Sequence, residues 1–379
     1  MRVLLIPSSY PPVLGGLQTV SHNLARGLTR LGHTVRVITN RYPRSLPAGE
    51  QMDQVPIRRL LFLKPSFAHL KQRRLDLLLA SFWFYPATLL ELKRLMKRFR
   101  PEVVNVHYPL SQIPFILALR QRYRFRLVVS LHGDDLLPWV RNGTDNPGLR
   151  AILLQADAVT ACSQWLLDQA IEWEPSVKNK GVAIHNGIDP DRFEDKTFYP
   201  HPRHYILAYG RLSYQKGFDM LLEAFAQVAL KNPDVDLILA GDGEEREHLI
   251  AQTRRLGLGG RVIFFGRATP EEVVQLLNGC QFVVVPSRWE PFGIVALEAL
   301  AAGKPVLATR VGGVVELYEQ SKGRLHLADP TQEGIAQMLM FLLKRSVDVQ
   351  KKYISFARIR SDFSWERVVV DYEKVLSVA

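Results

Sequence analysis

Short, nearly unbroken apolar runs recur along the chain, separated by longer stretches whose apolar residues fall three or four apart. The first run is residues 2–7. Leu17, Val20, Leu24 and Leu28 follow at helical spacing up to Gly32, and residues 34–39 form the next run. Unbroken runs suit parallel strands buried on both faces, and the spaced segments suit the helices that cover them. Residues 102–107, 126–132, 158–161 and 182–184 continue the series as expected strands, with a helix from Gln164. A second series begins at Tyr205, with strands expected at 206–209, 235–240, 261–265, 282–286 and 305–308. Helices are expected at 218–230, 270–278, 294–302, 331–343, 348–359 and 365–376.

Two such series imply an α/β protein with two Rossmann-like domains facing across a cleft. A length of 379 residues agrees with two or three domains. Residues 191–203, polar and rich in charge, aromatics and proline, read as the linker. Residues 41–100 are less regular.

Composition, 47% hydrophobic and 23% charged, is that of a soluble globular protein. No run approaches the ~20 apolar residues of a spanning helix, and the apolar stretch before Pro7 is too short for a signal peptide. Cys162 and Cys280 stand far apart in apolar surroundings and read as buried thiols of a cytosolic protein. There is no Cys/His spacing for zinc.

Charge is uneven. Residues 1–200 hold 27 Lys and Arg against 16 Asp and Glu, whereas residues 201–379 hold 22 against 21. From Arg58 to Arg126 the count is 15 against 3. Such a field favours an anionic partner. Residues 75–95 place apolar and aromatic side chains between basic clusters at 71–74 and 93–100. That pattern suits a helix lying on an anionic membrane. The alternative is that Trp83 and Phe84 are core and the arginines merely solvated.

Candidate chemistry lies in the loops at the carboxyl ends of the expected strands, where open α/β sheets bind ligands. Gly15-Gly16 enters the first helix and could turn backbone N–H groups towards an anion, or could be a plain tight turn. His132 ends a strand beside Gly133, and Asp134-Asp135 reads as a turn or cap rather than a metal site. Arg211 and Lys216 share a loop bounded by Gly210 and Gly217, a fork and a point charge suited to a diphosphate. Gly241-Asp242-Gly243 and Gly266-Arg267 follow strands in the same way. Glu290 and Glu298 flank Pro291-Phe292-Gly293 and the helix start Ile294-Val295. A glutamate near a helix start often only complements the macrodipole. An open helix end with carboxylates beside it also suits a ligand that carries hydroxyls and phosphate.

Taken in order, these pieces resemble the retaining, nucleotide-sugar-dependent glycosyltransferases of the GT-B fold, family 4 (glycosyltransferase group 1). The matching pieces are Gly15-Gly16, Gly32-His33-Thr34-Val35, His132, Asn186-Gly187-Ile188-Asp189, Gly210-Arg211-Leu212 with Lys216-Gly217, and Gly241-Asp242-Gly243. The last runs from Glu290-Pro291-Phe292-Gly293 through Glu298-Ala299 to Gly303-Lys304-Pro305-Val306 and Gly312-Gly313. The resemblance implies an acceptor-binding domain of residues 1–190 plus about 363–379, with the terminal helix returning to it. A nucleotide-sugar-binding domain would span about 191–362.

It also implies roles. Arg211 and Lys216 would neutralise the leaving diphosphate, helped by backbone N–H groups of Gly16 and of Phe292, Gly293, Ile294 and Val295. Glu298 would accept hydrogen bonds from both ribose hydroxyls, Glu290 would hold a donor-sugar hydroxyl, and His132 would meet the sugar's other side. Gly15, Gly210 and Gly241 would shape the donor site, and Gly266-Arg267 would border the base. No cofactor and no metal are expected.

The expected partners are a nucleotide-sugar donor, a hydroxyl acceptor, which could be a membrane-associated lipid or polysaccharide precursor or a soluble metabolite, and an anionic membrane surface through 58–126. The expected location is cytoplasmic, peripheral on the inner membrane face. A reading from another class is a non-catalytic nucleotide-sugar or anionic-ligand binder. No nucleic-acid signature interrupts the basic region, and neither βα unit carries a dinucleotide glycine fingerprint.

Overall fold

The computed structural model describes residues 1–13, 15–65, 74–349 and 357–377. The chain divides into two compact units: Met1–Gly187 with Trp365–Ala379, and Ile188–Ser364. Each is built on a mostly parallel sheet covered by helices, the Rossmann-like arrangement expected from the apolar runs.

In the first unit the strands are β1 (Arg2–Pro7), β2 (Thr34–Asn40), β3 (Gly49–Met52), β4 (Val55–Leu60), β5 (Val103–His107), β6 (Arg126–Leu131), β7 (Ala158–Ala161) and β8 (Gly181–Ala183). Their order is β3-β4-β2-β1-β5-β6-β7-β8, and only β3 runs antiparallel to its neighbour. The chain leaves β1 on one side towards β2 and returns on the other at β5, so the switch point lies between β1 and β5. The β3–β4 hairpin falls in the stretch that looked irregular. Its strand β3, Gly-Glu-Gln-Met, is too polar to read as one, and its turn places Asp53 and Gln54 at φ 47° and 66°. Such turns are usually announced by Asn-Gly or Asp-Gly, which this one lacks.

The core joins Val3, Leu5, Val37 and Val128 of the sheet to Leu24 and Leu28 of the helix Gly16–Arg30 and to Val368, Val369 and Tyr372 of the helix Trp365–Ser377. The terminal helix therefore completes this unit. It is seated at Gly27, where a Cβ would stand 2.3 Å from Val369 Cγ2. His33 Nε2 lies 2.7 Å from Glu373 Oε1, and Arg126 Nε donates to the Val375 carbonyl, holding the rest of the helix down.

The helix Leu75–Phe99 has two unlike faces. Ser81, Thr88, Leu92, Met96 and Phe99 are buried. Thr88 Oγ1 donates to the Leu61 carbonyl, and the Tyr85 ring lies 4.8 Å from that of Phe115. Leu75, Leu79, Phe82, Trp83 and Leu90 are exposed, Trp83 at 76%, so Trp83 is not core. Contrary to expectation, this helix is long and apolar enough to cross a membrane by length and composition, with a mean hydropathy of 1.3 over its best window. Its buried stripe lies against the unit instead. Of the flanking basic cluster, Arg74 is described and 71–73 lie outside the described residues.

In the second unit the strands are β9 (His204–Tyr209), β10 (Val235–Ala240), β11 (Val262–Gly266), β12 (Val283–Val285), β13 (Val306–Thr309) and β14 (Leu325–Ala328). The order is β11-β10-β9-β12-β13-β14, all parallel, with the switch point between β9 and β12. Phe218, Leu221, Leu222 and Phe225 pack with Ile335, Leu339 and Leu342 over one face. Strand β14, Leu-His-Leu-Ala, is short and interrupted by a polar residue, and was not expected. The helices expected at 331–343 and 348–359 are found as Gln332–Val349 and Ala357–Asp362, with 350–356 outside the described residues.

Residues 191–203 are not a free linker. Phe193 is buried, and His201 and Arg203 reach the buried Asp236 at 2.8 and 3.0 Å. Asn278 holds the carbonyls of Asp195 and Thr197. A charged, proline-bearing sequence looks like a linker unless its buried ionic partners, distant in sequence, are known.

Candidate active site

Two loops of the second unit straddle its switch point, one after β9 and one after β12. They are tied together at several places. Lys216 Nζ donates to Glu290 Oε2 at 2.6 Å, and Ser287 Oγ donates to the same oxygen at 3.0 Å. Gln215 Nε2 donates to the Trp289 carbonyl, and the Arg288 N–H donates back to the Gln215 carbonyl. The Arg288 guanidinium grips Asp219 through two bonds of 2.8 and 2.6 Å and lies over the Tyr214 ring. That bidentate pair fixes both loops at once.

Backbone contact makes the junction tight. Gly217 has φ 64°, and a Cβ there would meet the Pro286 carbonyl oxygen at 2.1 Å. Gly312 has φ 57°, and its Cβ would meet the Glu290 carbonyl oxygen at the same distance. Only glycine satisfies both the left-handed backbone and the missing space. Glu290 is therefore a buried carboxylate, 6% exposed, held by Lys216 and Ser287. Arg211 is exposed in the same loop as Lys216. Gly210 receives no contact on its Cβ side, while Gly241 packs on the Gly210 carbonyl.

The helix Ile294–Ala301 begins after Gly293, whose φ is 101°, with no side-chain cap. Phe292 is buried against Phe363, and Ile294 and Val295 are half-buried at the helix start. Glu298, one turn on, accepts from Tyr209 Oη at 2.8 Å and from Arg192 Nη1 at 3.1 Å. Burial, then the Glu298 carboxylate, holds the Tyr209 phenol well above its ordinary range, so it remains a donor. Each carboxylate oxygen takes one of these bonds and keeps a further acceptor position. Gly266 ends β11 and its carbonyl accepts from the Gly241 N–H, while Arg267, 84% exposed at its side chain, pairs with Asp242 at 3.1 Å.

Sequence reasoning missed Arg192, Tyr209, Ser287 and Arg288. Tyr209 and Ser287 flank the expected loops and could have been suspected from their polarity at strand ends. Arg192 was hidden in the apparent linker.

In the first unit, Gly16 opens the helix Gly16–Arg30 after Gly15, again with no side-chain cap. His132 follows β6. Its Nε2 lies 3.1 Å from His107 Nδ1, and His107 Nε2 lies 2.7 Å from Asn105 Oδ1. Asn105 Nδ2 donates to the Val128 carbonyl and to Ser130 Oγ, which assigns Oδ1 to the histidine. His107 Nε2 then carries a proton, His107 Nδ1 accepts, and His132 Nε2 donates. The chain of donors leaves His132 Nδ1 as an acceptor. Burial lowers the His132 imidazole to about 4, and burial together with the neighbouring His132 holds His107 well below its usual range, so both rings are neutral near pH 7. The Asp135 carboxylate accepts from the N–H groups of His132 and Gly133, making Asp134-Asp135 a turn rather than a metal pair. Among the described residues no three His, Cys, Asp or Glu side chains come together to hold a metal ion. Cys162 and Cys280 are buried, and neither is in a disulfide among the described residues.

Two family descriptions match this chain: Glycosyltransferase Family 4 over residues 14–192 and Glycosyl transferases group 1 over residues 189–360. The chain is 28% identical to the glycogen synthase of Mycobacterium tuberculosis, covering 100% of this chain and 95% of that protein. It is 26% identical to the N-acetyl-alpha-D-glucosaminyl L-malate synthase of Bacillus anthracis, covering 99% and 97%. The fold is shared with Anabaena HepE, solved in complex with UDP-glucose, at a TM-score of 0.74 and 22% identity, covering 100% of this chain and 99% of that one. The two matched regions overlap at residues 189–192, between the strands of the two sheets, and together span nearly the whole chain; the chain belongs to family 4 of the glycosyltransferases and has the GT-B fold.

Proposed function

We propose that this glycosyltransferase moves a sugar from a nucleoside-diphosphate sugar to a hydroxyl acceptor with retention at the anomeric carbon. The observation that carries this reading is the Lys216–Glu290 pair across the switch point, beside the uncapped start of the helix Ile294–Ala301. A diphosphate placed there would meet Lys216, Arg211 and the backbone N–H groups that begin the helix. These protein charges, rather than a resident metal, would stabilise the departing phosphate. The HepE complex with UDP-glucose supports a donor of that class.

In the step itself the bond from the anomeric carbon to the phosphate oxygen breaks. The acceptor oxygen bonds the same face of that carbon, and the acceptor's proton passes to the departing phosphate oxygen. Glu290, held by Lys216 and Ser287, would orient a donor hydroxyl, and His132 Nδ1 would accept from another. Glu298 would anchor the ribose through its remaining acceptor positions.

For the acceptor the proposal is a membrane-associated lipid or polysaccharide precursor, reached from the cytoplasm at an anionic membrane surface. Its support is the exposed apolar face of the helix Leu75–Phe99, set in a region with a large basic excess. A soluble acceptor is the second reading, favoured by the similarity to the glycogen synthase and the N-acetyl-alpha-D-glucosaminyl L-malate synthase.

A panel of nucleotide sugars tests the donor. The right one raises stability by about 2.7 kcal/mol at 100 times its Kd and is cleaved to the nucleoside diphosphate, with the configuration of the product read by NMR. No stabilisation by any of them, or inversion, overturns the reading. Release from anionic vesicles by salt tests the membrane part, because surface attraction is screened.

A further inference from the structure

The helix Leu75–Phe99 carries one exposed stripe that changes character along its length. Leu75, Leu79, Phe82, Trp83 and Leu90 form its first part, and Arg94, Lys97 and Arg98 continue it. At the basic end lies a cavity of about 630 Å³, large enough for a small ligand. Arg36 from β2, Arg58 from β4, and Arg94 and Arg98 from the helix line it, with Glu91 as the one carboxylate among the described residues.

Glu91 is already engaged, 2.6 Å from the Arg58 guanidinium. Among the described residues, Arg36, Arg94 and Arg98 have no ion pair or hydrogen bond from their side chains, although Arg36 lies 4.9 Å from the centre of the Phe99 ring. Basic residues in a last turn complement the helix dipole, which accounts for Lys97 and Arg98. It does not account for Arg94 a turn earlier or for Arg36 on a strand. Guanidinium groups around one cavity repel each other unless an anion sits among them, and their planar forks match phosphate oxygens.

Resting on the membrane reading above, we infer that this cavity holds the phosphate of an anionic phospholipid headgroup. An amphipathic helix lies with its apolar face at the headgroup–acyl boundary. With Trp83 and its neighbours at that depth, the basic end of the same stripe stays at headgroup level, where a phosphate can enter from the side. The cavity would turn a diffuse attraction into a defined seat.

Vesicles of phosphatidylcholine containing phosphatidic acid, sedimented with the full chain at low salt, test this. The cavity pair Arg36→Gln with Arg94→Gln is compared with the control pair Lys97→Gln with Arg122→Gln, which removes the same charge from exposed positions outside the cavity. The expected result is that the cavity pair weakens binding about tenfold more than the control pair, the size of one lost charge-assisted contact. Equal weakening by both pairs overturns the cavity while leaving the membrane reading in place. No binding by the unaltered chain overturns both. A concentration-dependent dimer in place of vesicle binding assigns the apolar stripe to a second copy and also overturns the proposal. Melting curves of each variant confirm that the exposed substitutions leave the fold intact.

Discussion

Lys216 Nζ and Glu290 Oε2 lie 2.6 Å apart, joining the loop after β9 to the loop after β12 at the point where the order of strands reverses. Lys216→Ala removes a charge aimed at the leaving group and should lower kcat by roughly 10²–10³. Arg211→Ala should act in the same direction and range. The Lys216 variant also leaves a buried carboxylate without its cation, which costs on the order of 3–5 kcal/mol. Its melting temperature should therefore fall, whereas that of the exposed Arg211 variant should not. Turnover by Lys216→Ala close to that of the unaltered enzyme would remove the pair from the chemistry.

The two glutamates separate by their partners. Glu290→Gln keeps the shape but weakens the hold on Lys216, so it should lower kcat more than it raises KM. Glu298→Ala removes the acceptor shared by Tyr209 and Arg192 and should chiefly raise the donor KM. Arg192→Ala should shift KM in the same direction by a smaller factor, since Tyr209 still holds Glu298. Steady-state kinetics with the donor varied would show the opposite split if the roles of the glutamates are exchanged.

Gly217→Ala tests the loop junction. The new methyl would collide with the Pro286 carbonyl at a backbone conformation that disfavours any side chain. A loss of at least about 1–3 kcal/mol in chemical denaturation is expected, together with loss of activity, because Lys216 precedes it directly. Gly210→Ala also sits at a positive φ, but its Cβ meets nothing within 4 Å, so it should cost less.

Asp135 gives a pH signature. Burial raises its carboxyl to about 7, opposed by the N–H groups of His132 and Gly133. The folded state therefore keeps a proton that the unfolded chain loses near pH 4. That contribution to stability falls as pH rises between those values. His107 and His132 act the other way: their lowered values make the unfolded chain bind more protons below about pH 6.5, so acidification destabilises the fold. In the unaltered protein these slopes oppose each other. Asp135→Asn removes one of them, and unfolding curves should show the variant losing stability more steeply than the parent from pH 6.5 to 4. Parallel curves would place Asp135 in a more solvated state than its burial implies.

Much of this was legible because the relevant signals are local. The strands are apolar runs, the loops are marked by glycines, and Arg211, Lys216, Glu290 and Glu298 stand within a few residues of those marks. The loops after β9 and β12 meet through Lys216–Glu290 and Gln215–Trp289. What could not be read depends on pairs distant in sequence. Arg192 gains its meaning only from Glu298, and residues 201 and 203 from Asp236. The β3–β4 hairpin is held by pairing rather than by its own apolar pattern. The partner of Lys216 was equally hidden, since no local rule tells a lysine aimed at a ligand from one that also grips a carboxylate.

The seating of the terminal helix at Gly27 bears on how the chain is made. During synthesis the stretch up to Gly187 emerges early, but the side chains that close its core, Val368, Val369 and Tyr372, emerge only after every residue of the second unit. Domains tend to fold as they appear on the ribosome. Here the second unit can finish while the first waits with an open seat along its first helix, so a segment translated after the second unit completes a core begun before it.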